Sequence, residues 1–180
     1  LPMVNFHLGR DNALIRAHLA AGGLLAYATE AVWGLGGDPR RPEALRALRE
    51  LKGREPGKRF LIVLRHWSQL ADWLDEVSLP PPGDPRPTTY LLRASARAPA
   101  ALVQDGKIAL RCTRYRPLRR LCRLAPLLST SANPPGQPPA RSLAELRHYF
   151  PEVPLVLGSV GPATRPSRIV DWASGTLRRD

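Results

Sequence analysis

The chain has 180 residues, 43% of them hydrophobic, enough to bury one full core, and a single domain over 1–180 is expected. Its apolar runs, such as residues 60–64, fall far short of the ~20 residues of a membrane-spanning helix. The start LPMVNFHLGRDNAL lacks the basic-then-apolar order of a secretory signal, so a cytoplasmic protein is expected. The net charge of +12 is unevenly spread: from Lys107 to Arg147 there are nine Lys/Arg against one acid, Glu145, whereas residues 67–85 carry Asp72, Asp75, Glu76 and Asp84 and no cation. Such a basic face either meets phosphate-bearing partners such as RNA or is simply solvated, and no aromatic interleaving of the kind used by base-stacking RNA modules accompanies the arginines.

In chain order, Asp11 can cap a helix running to about residue 21, with Leu14, Ile15, His18 and Leu19 on its apolar side, and Gly22-Gly23 stops it. Residues 24–28 read as a strand. The glycines at 34, 36 and 37 that follow read as a turn free to adopt φ > 0 and approach a ligand closely. Pro42 suits the first turn of a helix bearing Leu45, Leu48 and Leu51 at helical spacing, which Gly53 ends. Residues 60–64 form a buried-strand run, Ser68 opens a helix with Leu70, Trp73, Leu74 and Val77, and LPPPGDPRP (79–87) is a loop. Further strands are expected over 88–92, 107–111, 127–130, 155–158 and 168–172, and Ser142 with Glu145 makes a capping box ahead of a helix to Phe150. Strands alternating with helices place the chain in the α/β class.

The cations Lys52, Arg54 and Lys58 cluster where the second helix hands over to the next strand, a suitable place for a polyanion such as a nucleoside triphosphate. Two standard phosphate loops fail here. GREPGKR (53–59) is one residue short of a P-loop and has Arg59 in place of the magnesium-holding Ser/Thr, and GLGGDP puts Pro39 where a dinucleotide fingerprint needs glycine. Downstream, Ser129-Thr130-Ser131-Ala132-Asn133 crowds small polar groups at a strand's carboxyl end, which is ordinary turn chemistry alone but half of a site when joined to the cation cluster. No metal site is expected: His7, His18, His66 and His148 are scattered, and Cys112 and Cys122 form no CxxC pair and read as buried thiols.

The segments TEAVWGLGGDP (29–39), LKGREPGK (51–58), IALRCT (108–113), LLSTSANPPG (127–136) and PSRIVD (166–171) together resemble the YrdC/TsaC/Sua5 family, the short TsaC type, across nearly the whole chain. The resemblance implies a single-domain, twisted mixed α/β sheet flanked by helices, with a basic concave cavity. It implies L-threonylcarbamoyladenylate synthesis, a nucleotidyl transfer in which L-threonine, bicarbonate or CO2, and ATP with Mg2+ yield threonylcarbamoyl-AMP and pyrophosphate. The product would pass to downstream threonylcarbamoyl-transfer proteins for t6A modification of tRNA. Carried onto this sequence, the resemblance makes Lys52 and Arg54 catalytic. It assigns Thr29, Arg111 and Thr113 to threonine, and Lys52, Arg54, Lys58, Ser129, Ser131, Asn133 and Ser167 to ATP. A non-catalytic double-stranded RNA or tRNA-binding module of the same fold is the alternative. Three places depart from the family pattern: Ala28 replaces a proline, Asp84-Pro85-Arg86-Pro87-Thr88-Thr89 replaces W-P-G-P-x-T, and Arg114-Tyr115 replaces an acid and a histidine.

Overall fold

A computed structural model of the chain describes residues 4–54 and 59–180. The elements are β1 (Asn5–Phe6), α1 (Asn12–Ala20), β2 (Leu25–Ala28), β3 (Trp33–Gly36), α2 (Pro42–Lys52), β4 (Leu61–Leu64), a 3-10 turn (Trp67–Trp73), β5 (Thr88–Arg93), a short 3-10 turn (Ala100–Leu102), β6 (Lys107–Cys112), α3 (Arg116–Leu121), β7 (Leu127–Ser131), α4 (Leu143–Tyr149), β8 (Leu155–Val156), β9 (Arg168–Asp171) and β10 (Leu177–Arg179). They build one mixed, ten-stranded sheet in the order β1-β8-β2-β3-β7-β4-β6-β5-β9-β10.

The period-two alternation of strands decides which residues meet. Phe60, Ile62, Leu64, Ile108, Leu110, Cys112, Leu128, Tyr90 and Leu92 pack on one face with Leu45 and Leu48 of α2 and with Leu146 of α4. On the other face Tyr27, Val63 and Leu127 are covered by Ile15 and Leu19 of α1 and by Leu118 and Leu121 of α3. The residues that alternate with the first set, among them Thr29, Gly34, Leu61, Arg111, Ser129 and Ser131, line a cavity. Hydroxyls and cations predicted from five separate segments thus share one face because their strands run in fixed register: Val63 lies opposite Arg111, Leu61 opposite Ser129, and Gly34 opposite Ser131.

Asp11 precedes α1 without capping it through its side chain, its carboxylate accepting the His7 amide at 2.7 Å instead, whereas α2 ends and α4 begins on local signals. Gly53 caps α2 with φ 56°, and Ser142 and Glu145 exchange reciprocal bonds at the start of α4. The helix expected from Ser68 is instead a kinked 3-10 turn capped by His66, and Val77 lies beyond it, fully exposed.

The glycine turn is a correction. Gly34 and Gly36 lie within β3, antiparallel to β2, and none of glycines 34, 36 and 37 has positive φ. The chain reverses at residues 29–32 instead, where the Thr29 amide donates to the Val32 carbonyl at 3.1 Å. Glycine is required for space: a Cβ on Gly36 would lie 1.6 Å from the Leu128 carbonyl oxygen, which also accepts the Tyr27 hydroxyl at 2.7 Å. The 88–92 and 127–130 strands each extend by one residue, and that over 155–158 shortens to two.

Candidate functional site

The cavity encloses about 330 Å³ and is lined from the 29–32 turn, β3, β4, β6, β7, β10 and the segment entering β9. Its wall carries five arginines, Arg54, Arg59, Arg111, Arg165 and Arg179, and one carboxylate, Glu30. So marked an excess of cations makes it a receptor for a multiply charged anion.

At one end Thr29, 7% exposed, closes β2 and donates its hydroxyl to the Val32 carbonyl at 2.7 Å. Next to it Glu30 binds two of the predicted residues through a single oxygen: Oε1 accepts Arg111 Nη1 at 2.5 Å and Thr113 Oγ1 at 2.7 Å. Arg111 faces the cavity, whereas Thr113 is 1% exposed and lies behind the ion pair, its hydroxyl also accepting the Tyr115 amide at 3.1 Å. Burial alone would raise the Glu30 carboxyl, but Arg111 and the Thr113 hydroxyl outweigh it and hold the group below its ordinary value, ionised. The turn is fastened from outside. Gly161 and Ala163 donate to the Thr29 and Glu30 carbonyls at 2.8 and 2.9 Å, and a Cβ on Gly161 would lie 2.7 Å from the Glu30 oxygen.

At the other end stand Arg54 and the end of β7. The Arg54 guanidinium lies 4.5 Å from the centroid of the Phe60 ring and donates to the Arg59 carbonyl at 3.3 Å, with the Thr130 hydroxyl at 3.5 Å. Stacked in this way, it presents its edge in a fixed plane. Ser129 and Ser131 line the cavity, and Ser131 donates to Asn133 Oδ1 at 2.6 Å.

Lys52 is placed differently from the open phosphate ligand that its position in the chain led us to expect. Its ammonium donates to the carbonyls of Ser131 and Asn133, both at 2.7 Å, and to Asn133 Oδ1 at 3.1 Å. All three donors are therefore spent on the loop after β7, and Lys52 ties the end of α2 to that loop. Burial and then Arg54 push its pKa down to about 8, while its three carbonyl acceptors favour the charged form. Lys58 falls outside the described residues.

Ser167 closes the cavity on the β9 side, its hydroxyl paired with that of buried Thr89 at 2.8 Å and its carbonyl accepting Arg179 Nη2 at 2.7 Å. Sequence reasoning missed Glu30, Arg59, Arg165 and Arg179 as cavity residues. Glu30 could have been suspected as the acid directly after the predicted threonine contact Thr29, but no local pattern separates those three arginines from the others. Among the described residues no group of three or more His, Cys, Asp or Glu side chains comes together as a metal site. None of their helices is long and apolar enough to cross a membrane.

A mixed sheet with helices on both faces and an arginine-walled cavity beside them is the architecture that comparison with known proteins must explain. The Sua5/YciO/YrdC family profile, described as "Telomere recombination", matches residues 17–179. The chain is 42% identical to the threonylcarbamoyl-AMP synthase of Dichelobacter nodosus, covering 97% of this chain and 96% of that protein. It is 39% identical to the synthase of Thiobacillus denitrificans over 92% of this chain and 93% of that one. Its fold matches the crystal structure of P. abyssi Sua5 complexed with L-threonine with a TM-score of 0.73 and 22% identity, over 96% of this chain and 55% of the other. The chain belongs to the Sua5/YciO/YrdC family.

Proposed function

We propose that this chain is an L-threonylcarbamoyladenylate synthase, a nucleotidyltransferase that forms threonylcarbamoyl-AMP and pyrophosphate from L-threonine, bicarbonate or CO2, and ATP. The observation that carries the reading is one cavity with two chemically distinct ends: a buried Glu30–Arg111 ion pair beside Thr29, and Arg54 with Ser129, Ser131 and Ser167. Relatives about 40% identical over nearly their full length carry the synthase name, which supports it.

In this reading the threonine amine adds to CO2 to give a carbamate, whose oxygen attacks the α-phosphorus of ATP. The bond to the β-phosphate oxygen breaks and pyrophosphate leaves. The chain contributes position and charge: Thr29 and Arg111 meet the threonine with Thr113 behind them, Arg54, Ser129, Ser131 and Ser167 meet the nucleotide with Asn133 bonded to Ser131, and the family resemblance adds Lys58 to the nucleotide contacts. Lys52 and Arg54 are the catalytic pair. Arg54 neutralises phosphate charge from its place over Phe60, and Lys52 fixes the Ser131–Asn133 loop. Mg2+ enters with the triphosphate, coordinated chiefly by phosphate oxygens. The product would serve the transfer proteins of tRNA t6A modification. Purified protein should release pyrophosphate from MgATP and bicarbonate only when L-threonine is present; threonine-independent release, or none, overturns the reading.

We also infer that RNA is met at a second cleft, of about 500 Å³, lined by Arg65, His66, Gly83, Arg114, Arg116 and Arg119 and containing no acid. It supports phosphate contact without base reading. Binding of tRNA that weakens steeply with salt, with a shallower salt slope in R114A/R116A, is expected. A slope unchanged by these substitutions removes the cleft from consideration.

A further inference from the structure

The geometry points to Glu30 as the residue that receives the ammonium group of the amino-acid substrate, making the Glu30–Arg111 pair a matched receptor for a zwitterion. The inference rests on the synthase reading above and names a contact within it.

Both members of the pair are half used. Arg111 donates to Glu30 through Nη1 alone, and among the described residues no side chain or carbonyl takes its Nη2 or Nε. Both side-chain donors to Glu30, Arg111 and Thr113, land on Oε1, so Oε2 has no side-chain partner among the described residues. The two side chains are 8% and 14% exposed, and both line the same cavity. The Glu30 backbone amide also lies against its own carboxylate, yet with no other side-chain partner on Oε2, Nη2 or Nε among the described residues the buried pair keeps hydrogen-bonding capacity of both signs a few ångströms apart. An α-amino acid carries a carboxylate and an ammonium on one carbon, at a similar separation. A dicarboxylate or a simple phosphate would place negative charge against Oε2 and be repelled.

The surroundings fix the carboxylate in place. Thr113 and Arg111 hold Oε1, the Gly161 and Ala163 amides hold the backbone of residues 29 and 30, and Glu30 remains ionised against its burial. A carboxylate so held is preorganised to accept a third charged donor without moving. It also explains why an acid stands in a cavity otherwise walled by arginines, where a role limited to anion binding would have no use for one.

The test compares two ligands on two proteins by calorimetry: L-threonine, and its analogue in which a hydroxyl replaces the amine. Wild type should prefer L-threonine by at least ~10-fold, the scale of one buried charge-assisted hydrogen bond. Glu30→Gln should lose most of that preference, weakening L-threonine while leaving the analogue equal or tighter, because Arg111 is then released from its anion. A role confined to holding Arg111 would weaken both ligands alike, and that result overturns the inference while leaving the synthase reading intact. A wild type that binds the analogue as well as L-threonine overturns it without any variant, and one that binds L-threonine not at all overturns both readings. Should Glu30→Gln fold poorly, Glu30→Asp, which withdraws the carboxylate by one methylene, is put through the same comparison and should lose preference likewise.

Discussion

Asp84 and Arg168, 84 positions apart in the chain, form a 2.8 Å ion pair on the face of β5 that carries Thr88 and Tyr90, whose hydroxyls join it. Arg168 Nε also donates to Thr88 at 2.8 Å, and Asp84 accepts the Arg86 amide at 3.0 Å. Where the family resemblance implies a tryptophan and a glycine, this chain has a polar clamp. It lies one residue from both Thr89 and Ser167, which bond to each other on the opposite face.

Asp84→Asn should lower stability by about 1 kcal/mol, since both partners of the clamp are partly exposed. Burial acts to raise the Asp84 carboxyl, but the Arg86 amide and Arg168 outweigh it and hold the carboxyl below its ordinary value. A carboxyl depressed by folding contributes stability above its unfolded pKa, and that contribution disappears as pH falls through the folded value. Urea unfolding between about pH 3 and 7 should therefore show the variant's deficit shrinking at the acid end. A deficit independent of pH would refute the clamp's electrostatic account.

Arg54→Ala should reduce kcat/KM for ATP by about 3–4 kcal/mol, the scale of losing a charged transition-state donor, and Lys52→Ala should reduce it by releasing the Ser131–Asn133 segment that the ammonium holds. Lys52→Arg should not restore activity, because three carbonyl acceptors converge on a point ammonium that a planar guanidinium cannot mimic. Full activity in Lys52→Arg would show that the loop does not need this tie.

The Lys52 pKa, pushed down to about 8, gives nucleotide affinity a pH dependence. A polyanion favours the protonated ammonium, so ATP affinity should fall as pH rises above about 8, by up to ~10-fold per unit, and Lys52→Gln should flatten the profile. Titration of ATP binding from pH 7 to 10 by fluorescence or calorimetry reads it, in units of roughly one proton taken up.

Gly36→Ala should cost about 3 kcal/mol or more, or abolish folding, because its Cβ would meet the Leu128 carbonyl at 1.6 Å. Gly34→Ala meets only the Tyr27 ring at 3.1 Å and the Thr29 methyl at 3.2 Å, and should fold with a raised KM, since the methyl enters the cavity. Equal unfolding midpoints for the two variants would contradict this ordering.

Cys122 is fully buried and Cys112 nearly so; burial pushes the Cys112 thiol up to about 12 and the Cys122 thiol higher. Neither should react with an aromatic disulfide reagent in the folded protein at neutral pH, and both should react in denaturant. Rapid reaction of one native thiol would place it nearer the surface than it stands here.

What could be read from the sequence follows the range of the forces involved. α2 and α4 were legible because Pro42, Gly53 and the Ser142–Glu145 box act within a few residues of themselves. β3 was not: WGLG has a loop's composition, and its Gly36 answers to Leu128, more than ninety positions away. α3 was hidden in an arginine run, with only Leu118 and Leu121 turned inward, and β1 and β10 are too short to show a period. Arg111, Ser129 and Ser131 reach the cavity because strand alternation carries them there, and Thr29, Arg54 and Ser167 reach it from connections, whereas Lys52, Thr113 and Asn133 are not among its lining residues. Glu30 was missed because its partners, Arg111 and Thr113, lie 81 and 83 positions away.

The shared face of Arg111, Ser129 and Ser131 constrains how this chain can diverge. A strand offers only two orientations for each side chain, so losing one residue within β6 or β7 would exchange faces, driving Leu110 or Leu128 into the cavity and the arginine or serines into the core. Length changes should therefore accumulate in connections such as 79–87 and 134–139. Within the two strands, change can proceed only by substitution.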